Sequence, residues 1–107
     1  MLSIVYSAGL SGIDGFMVSV ECNSQDKIPQ FEIIGLPDTA VKESKDRIAS
    51  ALENSGFTLP ETALTVNLAP ADRKKEGSSY DLAILAGIMG ATHVLPRSAE
   101  ISRCCFI

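Results

Sequence analysis

The chain has 107 residues, of which 46% are hydrophobic and 21% charged, and its formal net charge at pH 7 is −4. These values are typical of one soluble globular domain that is too short to contain two cores. The acidic balance excludes a globally basic nucleic-acid binder, so any contact with a polyanion must come from a local group of cations.

Alternating apolar residues in the first third of the chain predict three antiparallel strands. The segments are LSIVYSA (residues 2–8), FMVSVEC (16–22) and QFEIIGL (30–36), and polar turns separate them. In the second segment Phe16, Val18 and Val20 share one face, which is the period of a half-buried strand. The simplest arrangement is a meander in which each strand pairs with the next.

The period then changes to that of an amphipathic helix, in LPDTAVKESKDRIASALENSGF (residues 36–57). Asp38 is placed to cap its N-terminus, and Gly56 stands where a glycine commonly follows a helix. The apolar stripe that we expect to face the core consists of Val41, Ile48 and Leu52. Oppositely charged residues four apart predict weak ion pairs on the exposed side, namely Lys42 with Asp46 and Glu43 with Arg47.

A fourth strand and a second helix follow. TALTVNLA (residues 62–69) predicts a strand between Pro60 and Pro70, with Leu64, Val66 and Leu68 facing one way. Ser78 and Asp81 fit a capping box that begins a helix. Residues 82–91 are apolar on every side, so we expect the surrounding structure to cover them all round. Gly87 and Gly90 weaken this helix unless they pack closely against a neighbour. The final CCFI resembles the opening of another strand.

Cysteine and histidine usage indicates neither disulfides nor a metal. Cys22, Cys104 and Cys105 fit no paired disulfide framework and no C-x-x-C spacing, and His93 is the single histidine. The N-terminal stretch lacks a basic region, and no window reaches the roughly eighteen apolar residues of a membrane span. We therefore expect a cytoplasmic protein with reduced structural thiols, no metal site and no membrane contact.

The loop NLAPADRKKEGSSYD (residues 67–81) carries the candidate contact residues. Arg73, Lys74 and Lys75 are a candidate contact for DNA or a neighbouring subunit, because together they could neutralise up to three phosphates. Asp72 and Glu76 flank them and reduce the local charge. Such a patch contributes to a larger surface rather than binding DNA alone.

The same loop leaves two other roles open. Gly77, Ser78 and Ser79 precede a helix N-terminus and form a candidate anion or nucleotide site, although neither G-x-x-x-x-G-K-[ST] nor G-x-G-x-x-G is present. Ser79 is the position to inspect for a nucleophile, but a serine needs a base. His93 would lie roughly 20 Å away, at the other end of the helix. The simplest reading keeps Ser79 as part of the helix start.

Two long blocks carry a family resemblance. FEIIGLPDTAVKESKDRIASALENSGFTLP (residues 31–60) and LTVNLAPADRKKEGSSYDLAI (64–84) resemble the N-terminal domain of the magnesium-chelatase-like AAA ATPases, the YifB or ComM family. The match extends more loosely to YSAGLSGIDGFMVSVE and so covers nearly the whole chain. Arg73 departs from the family pattern, which has an aliphatic residue there, and Ala83 stands where proline is common.

The resemblance implies a two-layer α+β domain related to the proteolytic domain of Lon and the second domain of GHMP kinases. It implies a non-catalytic accessory domain (residues 1–107) of a hexameric ATP-driven motor for DNA branch migration in natural transformation. ATP and Mg²⁺ are expected in an AAA module beyond this chain. In Lon-type domains the segment that corresponds to residues 77–79 carries the catalytic serine, so Ser79 is the position to inspect and a Lon-like peptidase is the alternative. We expect the fragment to be incomplete at its C-terminal strand and therefore to self-associate.

Overall fold

Four strands and three helices make up the part of the chain that the computed structural model describes, residues 2–11, 14–59, 61–92 and 105. Pro60, His93 and Cys104 lie outside these residues. The strands are β1 (Leu2–Ser11), β2 (Asp14–Gln25), β3 (Gln30–Ile34) and β4 (Ala63–Ala69). The helices are α1 (Thr39–Lys42), α2 (Ser44–Asn54) and α3 (Asp81–Ala91).

The strands form one mixed sheet in the order β1-β2-β4-β3. β2 pairs antiparallel with both β1 and β4, whereas β3 pairs with β4 in parallel. The predicted three-strand meander is therefore wrong for its third member, because β4 lies between β2 and β3. A parallel pair requires a crossover connection, and α1 and α2 supply it between β3 and β4.

Among the described residues, helices cover only one face of the sheet, which gives the two-layer α+β architecture that the family resemblance implies. Val18, Val20, Leu68 and Val66 are fully buried on that face, in a cluster that also includes residues of all three helices. Alternate residues of β1 and β2 point the other way and leave apolar side chains exposed, among them Leu2, Ile4, Tyr6 and Met17. In the part of the chain that the structure describes, the second face of the sheet therefore carries exposed apolar side chains, concentrated along β1.

The predicted amphipathic helix is present as two helices that join at Glu43. Asp38 caps it as expected, since its Oδ1 accepts a hydrogen bond from the Val41 amide at 2.8 Å. Gly56 follows the last turn with a φ of +85°, a conformation that favours glycine. Within the described residues the two predicted i,i+4 pairs do not form, and Arg47 instead pairs with Asp81 of α3.

Close packing of α3 against the sheet explains its two glycines. A Cβ at Gly87 would lie 2.5 Å from Cys22 Sγ, and one at Gly90 would lie 2.5 Å from Ser3 Oγ. The expectation of tight packing is thus confirmed. Burial all round is not, because Leu82 remains 52% exposed and Leu85 and Met89, on the same side, are only partly buried.

The chain returns to the sheet at its C-terminal end. Cys105 forms a parallel bridge with Tyr6 on the outer edge of β1. The other residues of the predicted CCFI strand lie outside the described part, so the strand itself stays a prediction. Among the helices described, none has both the length and the apolar character required to traverse a bilayer.

Candidate functional site

A buried lysine lies at the centre of the loop that carries the candidate residues. Lys75 is fully buried, and its Nζ donates to the carbonyl oxygens of Gly35 at 2.7 Å, Leu68 at 3.1 Å and Pro70. An ammonium has three N–H donors, so these three carbonyls satisfy all of them. Burial lowers the pKa of Lys75, and the charge of Asp72 partly opposes that effect.

The backbone of the same lysine joins the loop to the segment before α1. The Lys75 amide donates to the Leu36 carbonyl at 3.0 Å, and the Lys75 carbonyl accepts from the Asp38 amide at 2.9 Å. Gly35, beside this contact, has a φ of +112°, and a Cβ there would collide with the Leu68 carbonyl oxygen. A glycine is therefore needed at position 35 to let the two segments meet.

Asp38 adds a third connection between these segments. Its Oδ1 caps α1, and its Oδ2 accepts a hydrogen bond from the Gly77 amide at 3.1 Å. Both hydrogen bonds lower the pKa of the Asp38 carboxyl, and the one from Val41 has the larger effect. Residues 70–77 are consequently fixed at Lys75 and at Gly77.

The prediction that Lys75 contacts DNA or a neighbouring subunit is therefore corrected. Its ammonium is enclosed by backbone carbonyls and is unavailable to DNA or to another subunit. The sequence pattern wrongly indicated an exposed Lys75, because a lysine among four other charged residues is normally solvated. Lysine is almost never fully buried unless its ammonium has partners. The partners come from residues 35, 68 and 70, and local sequence does not reveal them.

Arg73 and Lys74 remain exposed on the outer side of the loop. The Arg73 guanidinium lies over the Phe16 ring, 4.9 Å from its centroid, in a cation–π contact with β2. Lys74 Nζ is 3.9 Å from Glu76 Oε1, and both side chains are about two-thirds exposed. Because Asp72 and Glu76 are also exposed, these four accessible charges sum to zero, so any polyanion contact depends on the arrangement of the cations.

The start of α3 differs from the predicted capping box. Its N-cap residue is Tyr80, which makes no side-chain capping bond. Asp81 instead receives two hydrogen bonds from Arg47, from Nε at 2.6 Å and from Nη2 at 2.9 Å. This bidentate pair raises the pKa of Arg47 and joins α2 to α3. Sequence reasoning missed it because the two residues are 34 positions apart and Glu43 offered a local partner.

The geometry disfavours the anion site predicted at Gly77, Ser78 and Ser79. The Gly77 amide already donates to the Asp38 carboxylate, and Asp81 places a second carboxylate in the first turn of α3. The Gly77 amide is therefore occupied and the Asp38 carboxylate repels an anion there, whereas the charge of Asp81 is balanced by Arg47. In the described part of the chain, no group of three or more His, Cys, Asp or Glu side chains is arranged to hold a metal ion.

Ser79 is exposed at the same helix start. Among the described residues its hydroxyl has no hydrogen-bonded base, and the amine of Lys75, in the same loop, is bound to three carbonyls. Tyr80 is buried over Gly9, and burial raises the pKa of its phenol. Within the described residues Ser79 thus lacks the base that a serine nucleophile requires, and the peptidase alternative stays a prediction.

Cys22 is a free cysteine in the core, which fits a structural role for this thiol. The side chain is fully buried under α3, where its Sγ lies 4.0 Å from the Ile84 carbonyl oxygen. Burial, assisted by the charge of Glu21, raises the pKa of the thiol to about 12. Cys22 is therefore a packing residue with no reactive thiolate at neutral pH.

Comparison with known proteins identifies relatives of the chain. Residues 20–107 match the family model described as subunit ChlI of Mg-chelatase. The chain is 44% identical over 97 residues to the competence protein ComM of Haemophilus influenzae, which covers 91% of this chain and 19% of that protein. It is also 42% identical over 94 residues to YifB of Escherichia coli, covering 88% and 19%, respectively. YifB of Salmonella typhimurium is 39% identical over 97 residues, with coverage of 91% and 19%. The chain thus spans about one fifth of the length of these relatives.

Proposed function

The chain belongs to the family of the Mg-chelatase subunit ChlI, and from this we propose that it is a non-catalytic accessory domain of an ATP-driven motor acting on DNA. In this proposal ATP and Mg²⁺ bind to an ATPase module in the rest of the full-length protein. The activity is DNA branch migration during natural transformation. The name of the Haemophilus influenzae relative, a competence protein, supports this assignment.

The proposed role of the domain rests on one observation. The buried ammonium of Lys75 fixes the loop of residues 70–77, and the other two cations of that loop are exposed. Lys75 holds residues 70–77 against the segment before α1, and Arg73 and Lys74 face solvent beyond it. The cation–π contact with Phe16 further limits where the Arg73 guanidinium can lie. We assign Arg73 and Lys74 as the contact to the DNA backbone, in the cytoplasm, within a larger DNA-binding surface.

The test uses the full-length protein with both cations replaced, Arg73→Ala and Lys74→Ala. We expect weaker DNA binding and weaker stimulation of ATP hydrolysis by DNA, while hydrolysis without DNA is unchanged. Each lost phosphate contact reduces the slope of log K against log salt by about 0.9, so the double variant should lose about 1.8. DNA binding is measured at several salt concentrations.

The matched control is Lys27→Ala, which removes an exposed lysine from the turn after β2. It should retain the slope of the parent protein. An unchanged slope in the Arg73→Ala, Lys74→Ala variant would refute the DNA contact. A loss of hexamers in sedimentation, with normal DNA binding per hexamer, would instead assign these residues to a contact between subunits.

Self-association is a separate proposal for this chain. The exposed apolar residues of β1 support it, because Leu2, Ile4 and Tyr6 form a continuous row on the sheet face opposite the three described helices. Soluble monomers rarely leave extended apolar patches uncovered. Sedimentation velocity measures the outcome, and a strictly monomeric chain across the accessible concentrations would contradict it.

A further inference from the structure

A groove separates the outer edge of the sheet from the first two helices. Its volume is about 250 Å³, and its lining residues are Phe31, Glu32 and Ile33 of β3, Lys42 of α1 and Lys45 of α2. The groove lies away from the loop 70–77 described above. Its chemistry combines an apolar floor with two ammonium groups.

The strand register defines the orientation of the side chains along this groove. Phe31 pairs with Leu64 and Ile33 with Val66, and those two partners are buried beneath the helices. Phe31 and Ile33 therefore face the helix layer and form the floor. Glu32 alternates with them along the strand and contributes to the edge of the groove, with its side chain on the opposite face of the sheet from Phe31 and Ile33.

The backbone of β3 adds a second recognition element. β3 is at the edge of the sheet, and within the described part of the chain only β4 pairs with it. Alternate residues of an edge strand direct N–H and C=O groups outward, where another extended chain can pair with them. The groove thus runs beside a row of available backbone donors and acceptors.

The charge of the groove selects the partner. Lys42 and Lys45 are both exposed, and neither forms an ion pair with any residue that the structure describes. A side chain that points into the groove from an added strand would meet the apolar floor and these ammonium groups. Two residues that are two positions apart on such a strand both point into the groove, so an apolar residue can meet the floor and an acidic residue can meet the lysines.

We propose that the groove binds an extended acidic segment of a separate polypeptide, which pairs as an additional strand with β3. An apolar side chain of that segment packs on Phe31 and Ile33, and a carboxylate two residues away contacts Lys42 and Lys45. Side chains that alternate with these face Glu32, so carboxylates are disfavoured there. This inference is independent of the DNA-binding role proposed for Arg73 and Lys74.

The experiment titrates the ¹⁵N-labelled chain with the peptide acetyl-Thr-Val-Thr-Asp-Thr-amide and follows amide shifts by NMR. Its Val and Asp are two residues apart and therefore share one face. A single short strand binds weakly, so the peptide is added up to about 5 mM. We expect shifts in residues 30–34 and 42–45. A peptide with Lys in place of Asp, and one with an N-methylated central Thr, should bind more weakly.

The protein variant is Lys42→Ala combined with Lys45→Ala, which should weaken binding by about fivefold, as expected for two exposed ion pairs. Lys27→Ala is the matched control and should bind like the parent. Equal binding of the Asp and Lys peptides, or shifts confined to another surface, would overturn the proposal. So would shifts that depend on protein concentration without peptide, since they would indicate pairing of two β3 edges in a dimer.

Discussion

Replacing Lys75 by methionine tests whether its ammonium holds the fold together at the candidate site. Methionine keeps an apolar stem of similar length but leaves the carbonyls of Gly35, Leu68 and Pro70 without their donor. A hydrogen bond to a charged group contributes about 1.5–3 kcal/mol, and the cost of burying the ammonium offsets part of the total. We therefore expect a net loss of about 3–5 kcal/mol, a large share of the roughly 5–15 kcal/mol that stabilises a typical domain.

Urea unfolding followed by far-UV circular dichroism measures this loss, because the chain has no tryptophan to report on folding. With a slope near 1.5 kcal/mol per M, a loss of about 3 kcal/mol lowers the midpoint by about 2 M. Lys74→Met is the matched control, since Lys74 is exposed and its replacement should change the stability by no more than about 0.5 kcal/mol. Lys75→Gln retains two donors and should be intermediate.

The reasoning fails if Lys75→Met unfolds within about 1 kcal/mol of Lys74→Met. Such a result would show that water or a rearranged backbone replaces the ammonium at little cost. If Lys75→Met does not fold at all, the comparison between Lys75→Gln and Lys74→Met gives the same answer. Equal stability of these two proteins would then refute the anchoring role.

Two further predictions concern Cys22. Its folded-state pKa of about 12 is above the ordinary value of 9.0, so the contribution of the buried thiol to stability is complete below pH 9 and is lost as the pH rises toward 12. The test compares two proteins in which Cys104 and Cys105 are replaced by serine, one with Cys22 and one with Cys22→Ala. Between pH 9 and 12 the free energy of unfolding should fall by up to about 4 kcal/mol more in the protein that keeps Cys22. Parallel pH profiles of the two proteins would contradict this. Gly87→Ala should destabilise α3 because its new Cβ would lie 2.5 Å from Cys22 Sγ, despite a helix-propensity gain of about 1 kcal/mol. In a Cys22→Ala background the new Cβ at position 87 would lie 3.4 Å from the Cβ of residue 22 and 3.7 Å from Val5 Cγ2. Gly87→Ala should then be neutral or favourable. An identical effect of Gly87→Ala in both backgrounds would disprove the clash.

Local patterns were sufficient to predict most elements of the fold. Alternation located the strands and their buried faces, as with Val18 and Val20, and the capping role of Asp38 follows from its position before an amphipathic segment. Gly87 also had a local signature, because a glycine inside an apolar helix requires a close neighbour. Each of these inferences depends on residues only a few positions apart.

The rest of the site depends on contacts between distant segments. Insertion of β4 between β2 and β3 leaves no trace in strand spacing, so the meander was the simpler expectation. Lys75 has the sequence neighbours of a solvated lysine, and its burial is set by residues 35, 68 and 70. Asp81 fits a capping box locally, but a guanidinium 34 positions away offers two charged hydrogen bonds and is the stronger partner.

The attachment of residues 70–77 at two points also affects the thermodynamics of recognition. A side chain that is restricted before its partner arrives loses less conformational entropy on association than one on a free loop. The Arg73 guanidinium, stacked on Phe16, has already given up part of that freedom during folding. Binding of a phosphate by Arg73 therefore costs less conformational entropy. This saving can compensate for the weak net attraction of a loop whose accessible charges sum to zero.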